Sequence, residues 1–82
     1  MNFFVYLLFS EERKKTYVGF SSNIDKRIKE HAEGKVRTTR NFRNFSWQIL
    51  EKTNNIILAR QAEKYWKSAA GRKKIKEILK NG

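Results

Sequence analysis

Residues 17–31 read YVGFSSNIDKRIKEH, and this stretch runs from a short strand through a turn into a helix. Aromatic and β-branched residues dominate the run TYVGF at Thr16–Phe20, which predicts a strand. The serine–asparagine turn that follows leads into a helical pattern, so Arg27 and His31 lie one turn apart on one helix face. The stretch therefore predicts a strand–helix unit that holds two polar side chains close together.

A second apolar run, FFVYLLF at Phe3–Phe9, precedes this unit, and the charged segment SEERKK separates the two runs. The pair of runs predicts a β-hairpin. Because side chains alternate across a strand, Tyr6 and Tyr17 share one face in any antiparallel register that pairs even-numbered with odd-numbered residues. A third strand is predicted over SWQILEKT at residues 46–53, with one face formed by Trp47, Ile49 and Glu51.

Residues suited to helix ends mark where the helices start and stop. Ser22 is a suitable N-cap for the first helix, and Gly34 is a suitable stop. The pair Asn54–Asn55 precedes a second helical pattern, which Gly71 interrupts and residues 72–79 resume. With the strands, these helices predict an α/β fold in which a small three-stranded antiparallel sheet is flanked by helices.

The second helical pattern has an apolar face and a basic one. One arc contains Leu58, Ala62, Tyr65, Trp66 and Ala69, while Arg60, Lys64 and Lys67 face away. Glu63 lies on the border of the apolar arc and is the only acid on this helix. Large aromatic residues on apolar faces commonly pack inside a protein. The aromatic residues assigned to the core are Trp47, Tyr65 and Trp66.

Composition limits the classes of function. The chain has 82 residues, and 19 Lys and Arg against 8 Asp and Glu give a net charge of +11, which favours nucleic acid as a partner. No apolar run is long enough to span a membrane and no signal peptide precedes the first strand, so we expect one cytoplasmic domain over residues 1–82. The absence of cysteine and the presence of one histidine exclude a disulfide framework, cysteine catalysis and a thiolate or multi-histidine zinc site.

Two basic segments are candidates for contact with a nucleic-acid backbone. KVRTTRNFRNF at residues 35–45 interleaves basic with aromatic residues, in a pattern that indicates neither helix nor loop, and a second basic cluster begins at Arg72. These charges could be no more than solvated, but the interleaving and the net charge favour phosphate contact. The candidates are Lys35, Arg37, Arg40, Arg43, Arg72, Lys73 and Lys74.

The motifs along the chain resemble those of the GIY-YIG nuclease superfamily. Phe4-Val5-Tyr6 matches the first motif, with phenylalanine where the family name has glycine, and Tyr17-Val18-Gly19 matches the second. Arg27, His31 and Glu63, the last within ARQAE, lie at the spacings of the family. The segment KYWKSAAGR is similar to one common in small single-domain bacterial members, and the whole chain resembles the amino-terminal catalytic module of the excision-repair nuclease.

The resemblance implies a metal-dependent DNA endonuclease that leaves 3′-hydroxyl and 5′-phosphate ends, in DNA repair or recombination. It implies that Glu63 binds Mg²⁺ or Mn²⁺, that Tyr17 is the general base, and that Tyr6 and His31 orient the water and Tyr17. Arg27 suits the phosphoryl oxygens because its planar fork can hold two of them. A single carboxylate indicates one metal ion, held mainly by waters and phosphate. An enzyme of this size would be weakly selective, or directed by a protein partner.

Each candidate residue also has an ordinary structural explanation. Strand tyrosines commonly pack, a helix arginine is commonly solvated, and Glu63 could simply pair with Lys67 one turn on. An asparagine that some family nucleases use is replaced by Ile75, which favours a non-catalytic nucleic-acid-binding module that kept the nuclease fold. A basic RNA-associated protein is the second alternative. The joint spacing of the motif positions favours the nuclease.

Overall fold

A sheet of three antiparallel strands forms the centre of the structure, a computed structural model that describes residues 1–42 and 44–81. The strands are β1 (Phe3–Ser10), β2 (Lys15–Ser21) and β3 (Phe45–Thr53), and β1 lies between the other two. The helices are α1 (Ile24–Ala32), α2 (Ile56–Lys67) and α3 (Ala69–Asn81), with a 3₁₀ turn at Arg37–Thr39. The predicted α/β fold with a three-stranded antiparallel sheet is confirmed.

β1 and β2 form the predicted hairpin around a turn at residues 11–14. Tyr6 lies opposite Gly19, and throughout the pair even-numbered residues of β1 face odd-numbered residues of β2. Since side chains alternate along both strands, this register places Tyr6 and Tyr17 on the same face of the sheet. The hairpin therefore has the pairing of even-numbered with odd-numbered residues that a shared tyrosine face requires.

β3 departs from the predicted alternation because it contains a β-bulge. Tyr6 lies opposite Ile49, but its neighbour Val5 lies opposite Glu51, and the register shifts between them. Ile49 and Glu51 were expected on one face, and the bulge turns them to opposite faces. Glu51 thereby reaches α2, where its Oε1 accepts a hydrogen bond of 2.8 Å from Nε1 of Trp66.

The starts of α1 and α2 are both capped by asparagine. Asn23 caps α1, and its Oδ1 accepts a hydrogen bond of 3.2 Å from the backbone N–H of Lys26. The expected N-cap, Ser22, is wrong by one position because Oγ of Ser21 accepts the N–H of Asn23 at 3.0 Å and fixes the turn. Asn55 caps α2 as predicted, with its Oδ1 accepting backbone N–H groups of the first turn.

Gly34 ends α1 and reverses the chain, as predicted. Its φ of +74° is in the left-handed region, and the N–H groups of Gly34 and Lys35 donate to carbonyls of His31 and Glu30 in a Schellman arrangement. The reversal brings the 3₁₀ turn back beside the end of α1, where Thr39 is buried. The segment that the pattern left unassigned therefore packs against the helix that carries His31.

The core lies between one face of the sheet and helices α2 and α3. Its buried members are Val5, Leu7, Val18, Ala62, Trp66 and Ile75. Trp66 is in the core as predicted, but Trp47 is 42% exposed on β3 and Tyr65 is 38% exposed on α2, so these two assignments are wrong. α2 turns the small Ala59 and Ala62 toward the sheet, which shifts the buried stripe and leaves Tyr65 on its flank.

Gly71 allows α2 and α3 to pack closely. A Cβ atom at this position would lie 2.4 Å from both Cα of Trp66 and the carbonyl oxygen of Tyr65, which are backbone atoms that cannot yield. Ser68 separates the two helices with an extended backbone. The close crossing brings Arg72 back toward β2.

No helix within the described residues is long and apolar enough to cross a membrane.

Candidate active site

Three side chains selected from the sequence meet on one face of the sheet. The ring centroids of Tyr6 and Tyr17 lie 6.3 Å apart, and the imidazole of His31 lies 5.6 Å from the first and 5.1 Å from the second. The two tyrosines come from neighbouring strands, and the end of α1 brings the histidine over them. The strand–helix unit predicted from residues 17–31 thus assembles a cluster of three rings.

Gly19 provides the space in which this cluster forms. A Cβ atom at Gly19 would lie 2.7 Å from Oη of Tyr6 and 3.0 Å from Cε1 of Tyr17. Contacts below 3.0 Å require one of the partners to move, and Tyr6 is held on all sides because it is buried. Gly19, the glycine of the second motif, is therefore needed because it leaves room for the ring of Tyr6. The requirement concerns space and not the backbone conformation of the glycine.

His31 is buried and bonded at both ring nitrogens. Its Nε2 lies 2.8 Å from Oη of Tyr6 and its Nδ1 lies 2.6 Å from Oγ1 of Thr39, while 2% of the residue is exposed. Burial, aided by the positive charge of Arg27, lowers the pKa of His31 to about 4, and Glu30 opposes this shift. The imidazole is therefore neutral at physiological pH.

Tyr6 is completely buried, with 0% of its surface exposed. Burial raises the pKa of Tyr6 to about 12, and the neighbouring Arg27 guanidinium lowers it only in part. Because burial raises the pKa of Tyr6 and lowers the pKa of His31, transfer of a proton from the phenol to the imidazole is strongly unfavourable. The proton therefore stays on the phenol, and His31 acts on Tyr6 as a hydrogen-bond partner.

Tyr17 differs from Tyr6 in its access to solvent. It is partly exposed and lines a cleft of about 420 Å³ along the edge strand β2. The same cleft is lined by two cationic side chains, Lys67 from the end of α2 and Arg72 from α3. Opposite charges attract, so an anionic group that enters this cleft is drawn toward Tyr17. Tyr17 is the phenol of the pair that a substrate can reach.

Arg27 approaches the ring cluster from α1. Its interaction with the hydroxyl of Tyr6 raises the pKa of Arg27, and its Nη1 also lies 3.3 Å from Oε1 of Glu30. Arg27 lines a second cleft of about 420 Å³ together with Lys26. Its guanidinium therefore connects the buried phenol of Tyr6 to an open, basic surface.

Glu63 of α2 lies within electrostatic reach of the ring cluster, because its charge contributes to the raised pKa of Tyr6. Its Oε2 lies 3.7 Å from Nζ of Lys67, one turn on. Among residues 1–42 and 44–81, no group of three or more His, Cys, Asp or Glu side chains could hold a metal ion. Glu63 offers a cation a carboxylate, an oxygen donor that suits a hard divalent ion which keeps most of its waters.

A comparison with protein families covers almost the whole of this arrangement. The profile of the GIY-YIG catalytic domain matches residues 2–76, from β1 into α3. The chain belongs to the GIY-YIG family. The match includes every residue that the motifs select, namely Tyr6, Tyr17, Arg27, His31 and Glu63. Comparisons with curated proteins and with solved structures give no match. GIY-YIG domains are generally endonuclease domains, so the family suggests that this chain is a nuclease with DNA as its substrate.

The predicted phosphate contacts of the GIY-YIG domain fall in different places. Arg72 lines the cleft beside Tyr17, and Arg40 lines a separate cleft beside His31. The other candidates within the described residues are exposed and line neither cleft: Lys35, Arg37, Lys73 and Lys74. Arg43 lies outside the described residues. Of the predicted set, Arg72 is the side chain that the structure brings to Tyr17.

No sequence pattern indicates that Thr39 and Lys67 belong to the GIY-YIG site. Thr39 is a short hydroxyl residue in a segment whose pattern predicts no element, and its role depends on the chain reversal at Gly34. Lys67 has the spacing of an ordinary helix ion pair with Glu63, and only the packing of α2 beside β2 brings it to the cleft. Tertiary contacts alone reveal both residues.

Proposed function

We propose that this GIY-YIG domain is a metal-dependent DNA endonuclease that hydrolyses phosphodiester bonds. The observation that carries the proposal is the placement of Tyr17 in a basic cleft, directly beside the buried pair of Tyr6 and His31. The resemblance to the catalytic module of the excision-repair nuclease supports a role in DNA repair or recombination.

Tyr17 is proposed as the general base. Hydrolysis requires that the attacking water lose a proton, and a phenol that solvent can reach is able to accept it. The positive charges of Lys67 and Arg72 in the same cleft attract the anionic substrate to this phenol. Tyr6 has no exposed surface, so its contribution passes through Tyr17, Arg27 and His31 and involves no direct contact with water.

Arg27 is proposed to neutralise the phosphoryl oxygens at the scissile bond. A guanidinium donates two parallel hydrogen bonds to a phosphate and keeps its charge at every physiological pH. Tyr6 and Glu30 hold Arg27 from two sides, which restricts its orientation before substrate binds. Lys67 and Arg72 would contact the flanking phosphates of the same strand.

Glu63 is proposed to hold Mg²⁺ or Mn²⁺. Its carboxylate is the acidic group within electrostatic reach of Tyr6, and the pairing with Lys67 at 3.7 Å is loose enough to exchange for a cation. When bound, the ion neutralises charge on the phosphoryl group and polarises water, which are the usual contributions of a divalent metal to phosphodiester hydrolysis.

A cleavage assay tests the proposal. Plain, nicked and branched DNA duplexes are incubated with the protein in the presence of Mg²⁺, Mn²⁺ or excess EDTA. We expect cleavage that depends on metal and leaves 3′-hydroxyl and 5′-phosphate ends. A preference for branched or nicked DNA would support repair or recombination, and acceptance of all substrates would support an enzyme that is weakly selective or directed by a protein partner.

A non-catalytic nucleic-acid-binding module is the second candidate. The observation that favours it is Ile75, which stands where some family nucleases have an asparagine and is 4% exposed in the core. No polar side chain is therefore supplied from this position. Metal-independent DNA binding without cleavage under every condition would establish this alternative, and competition between RNA and DNA at matched salt would identify an RNA-associated protein.

A further inference from the structure

Thr39 extends the hydrogen-bonded chain that begins at Tyr6. It is 0% exposed, and its Oγ1 lies 2.6 Å from Nδ1 of His31 and 3.5 Å from the carbonyl oxygen of Val36. Four polar groups therefore follow one another: the phenol, the imidazole, the threonine hydroxyl and a backbone carbonyl. The three side chains are almost entirely buried, so each of their hydrogens needs an acceptor within the chain.

A neutral imidazole between two hydroxyl groups allows two arrangements of the hydrogens. In the first, Nδ1–H donates to Thr39 and the hydroxyl of Tyr6 donates to Nε2. In the second, the hydroxyl of Thr39 donates to Nδ1 and Nε2–H donates to Tyr6. The two arrangements have the same heavy-atom distances, and they differ in the tautomer of His31.

The surroundings of the two hydroxyl groups favour the first arrangement. The hydroxyl of Thr39 can donate to the carbonyl of Val36, so its hydrogen has an acceptor when Nδ1 donates to it. The hydroxyl of Tyr6 has no acceptor besides His31 Nε2 among the described residues, and its other polar neighbour, Arg27, can only donate. The second arrangement would leave the Tyr6 hydrogen buried without a partner, which carries a penalty that the first avoids.

We propose that Thr39 is a positioning residue of the cleavage reaction: it accepts the Nδ1 hydrogen of His31 and holds the tautomer in which Tyr6 donates to Nε2 and keeps its lone pairs available to the neighbouring Arg27. The proposal rests on the proposed nuclease function. In the second arrangement, the hydroxyl hydrogen of Tyr6 would point toward the Arg27 guanidinium, so that two donors would face each other. Arg27 would then be held by Glu30 alone, and its orientation toward the scissile phosphate would be less restricted.

Nuclear magnetic resonance tests the hydrogen arrangement without reference to cleavage. The chain has one histidine, so a protein labelled with ¹⁵N-histidine gives one pair of ring nitrogen signals. At neutral pH we expect a protonated, pyrrole-like Nδ1 and an unprotonated, pyridine-like Nε2. Thr39→Val keeps the shape and removes the hydroxyl, and it should raise the share of the Nε2–H tautomer. Thr39→Ser restores the hydroxyl and should restore the wild-type signals. A wild-type protein with Nε2–H, or a Thr39→Val protein with unchanged signals, would overturn the proposal.

Steady-state cleavage links the tautomer to the reaction. Thr39→Val should lower kcat by roughly 10- to 100-fold, as when the hydrogen-bond partner that orients a metal-ligating histidine is removed, with KM for DNA unchanged because Thr39 is buried. Thr39→Ser should regain most of the rate. Equal kcat values for wild type and Thr39→Val would reject the positioning role while leaving the nuclease intact. A wild-type protein that never cuts DNA would instead reject the proposed function, and the positioning role with it.

Discussion

Oη of Tyr6 lies 2.8 Å from Nε2 of His31, and both residues are almost entirely withdrawn from solvent. The bond joins the first strand to the end of α1, which are far apart in the sequence. Because both groups are buried and neutral, the contact orients the side chains and does not exchange a proton. In the proposed mechanism, water activation is assigned to the neighbouring Tyr17, which lines the cleft.

Removal of the two phenol hydroxyls separately should distinguish their roles. Tyr17→Phe should lower the cleavage rate by about 100-fold or more while the melting temperature stays close to wild type, because the proposed general base is lost and no buried partner is left open. Tyr6→Phe should lower the rate less and destabilise the fold by about 1–3 kcal/mol, because Nε2 of His31 loses its donor. Rates and thermal unfolding are measured on both variants. Small, equal rate losses would exclude both phenols as the base.

Gly19→Ala should destabilise the protein by roughly 1–3 kcal/mol, because the added Cβ would lie 2.7 Å from Oη of Tyr6. A double-mutant cycle with Tyr6→Phe identifies the cause. Since Tyr6→Phe removes the atom that the methyl group meets, Gly19→Ala should cost less in that background than in wild type. Denaturant unfolding of the four proteins gives the coupling energy. Additive effects would show that the clash with the hydroxyl is not the source of the loss.

The stability of the fold should fall on acidification between about pH 6.5 and pH 4. The pKa of His31 is lowered to about 4 by burial, so in this window the unfolded chain binds a proton that the folded protein does not. The free energy of unfolding should decrease by roughly 3 kcal/mol across it. His31→Gln removes this contribution, and the difference between the two pH profiles isolates it from carboxylate titration. Parallel profiles would contradict a buried, neutral His31.

Glu63→Gln should abolish cleavage at every accessible concentration of Mg²⁺ or Mn²⁺, because the amide keeps the size and removes the charge that a hard cation requires. DNA affinity should persist or rise slightly, since one negative charge is lost. Glu77→Gln, an exposed acid on α3, is the matched control and should cut at the wild-type rate. Arg27→Ala should weaken both cleavage and binding. Cleavage by Glu63→Gln at the wild-type rate would exclude Glu63 as the metal ligand.

The salt dependence of DNA binding should identify the side chains that bind phosphate. On duplex DNA, removing one such side chain reduces the slope of log affinity against log salt by roughly 0.9, because fewer counterions are released. Arg72→Ala, in the cleft beside Tyr17, and Arg40→Ala, beside His31, should each reduce the slope. Lys52→Ala, on the opposite edge strand β3, should leave it unchanged. A slope unaffected by Arg72→Ala would exclude the cleft from the DNA interface.

The sequence by itself predicted the elements whose signals are local. Alternation and turn residues predicted the hairpin, and its register confirms the shared face of Tyr6 and Tyr17. Glycine readily adopts the left-handed backbone at which many helices end, so Gly34 predicted the end of α1. Its positive φ confirms this prediction. Motif spacing predicted the family, because the spacing of side chains along a strand or a helix is set by the backbone geometry of that element alone. That Glu63 binds metal and Tyr17 is the base remain predictions.

Tertiary structure alone decided which faces are buried and which groups bond across the chain. The bulge in β3 placed Glu51 on the opposite face of the sheet from the one that alternation predicts. The small residues of α2 moved the buried stripe of that helix away from Tyr65. In both cases the close packing of two surfaces decided which side chains are buried, and the sequence periodicity did not. The contact between Thr39 and His31 depends on a chain reversal that carries no periodic signal. Long-range contacts depend on how elements pack, and a local pattern contains no information about a partner far away in the sequence.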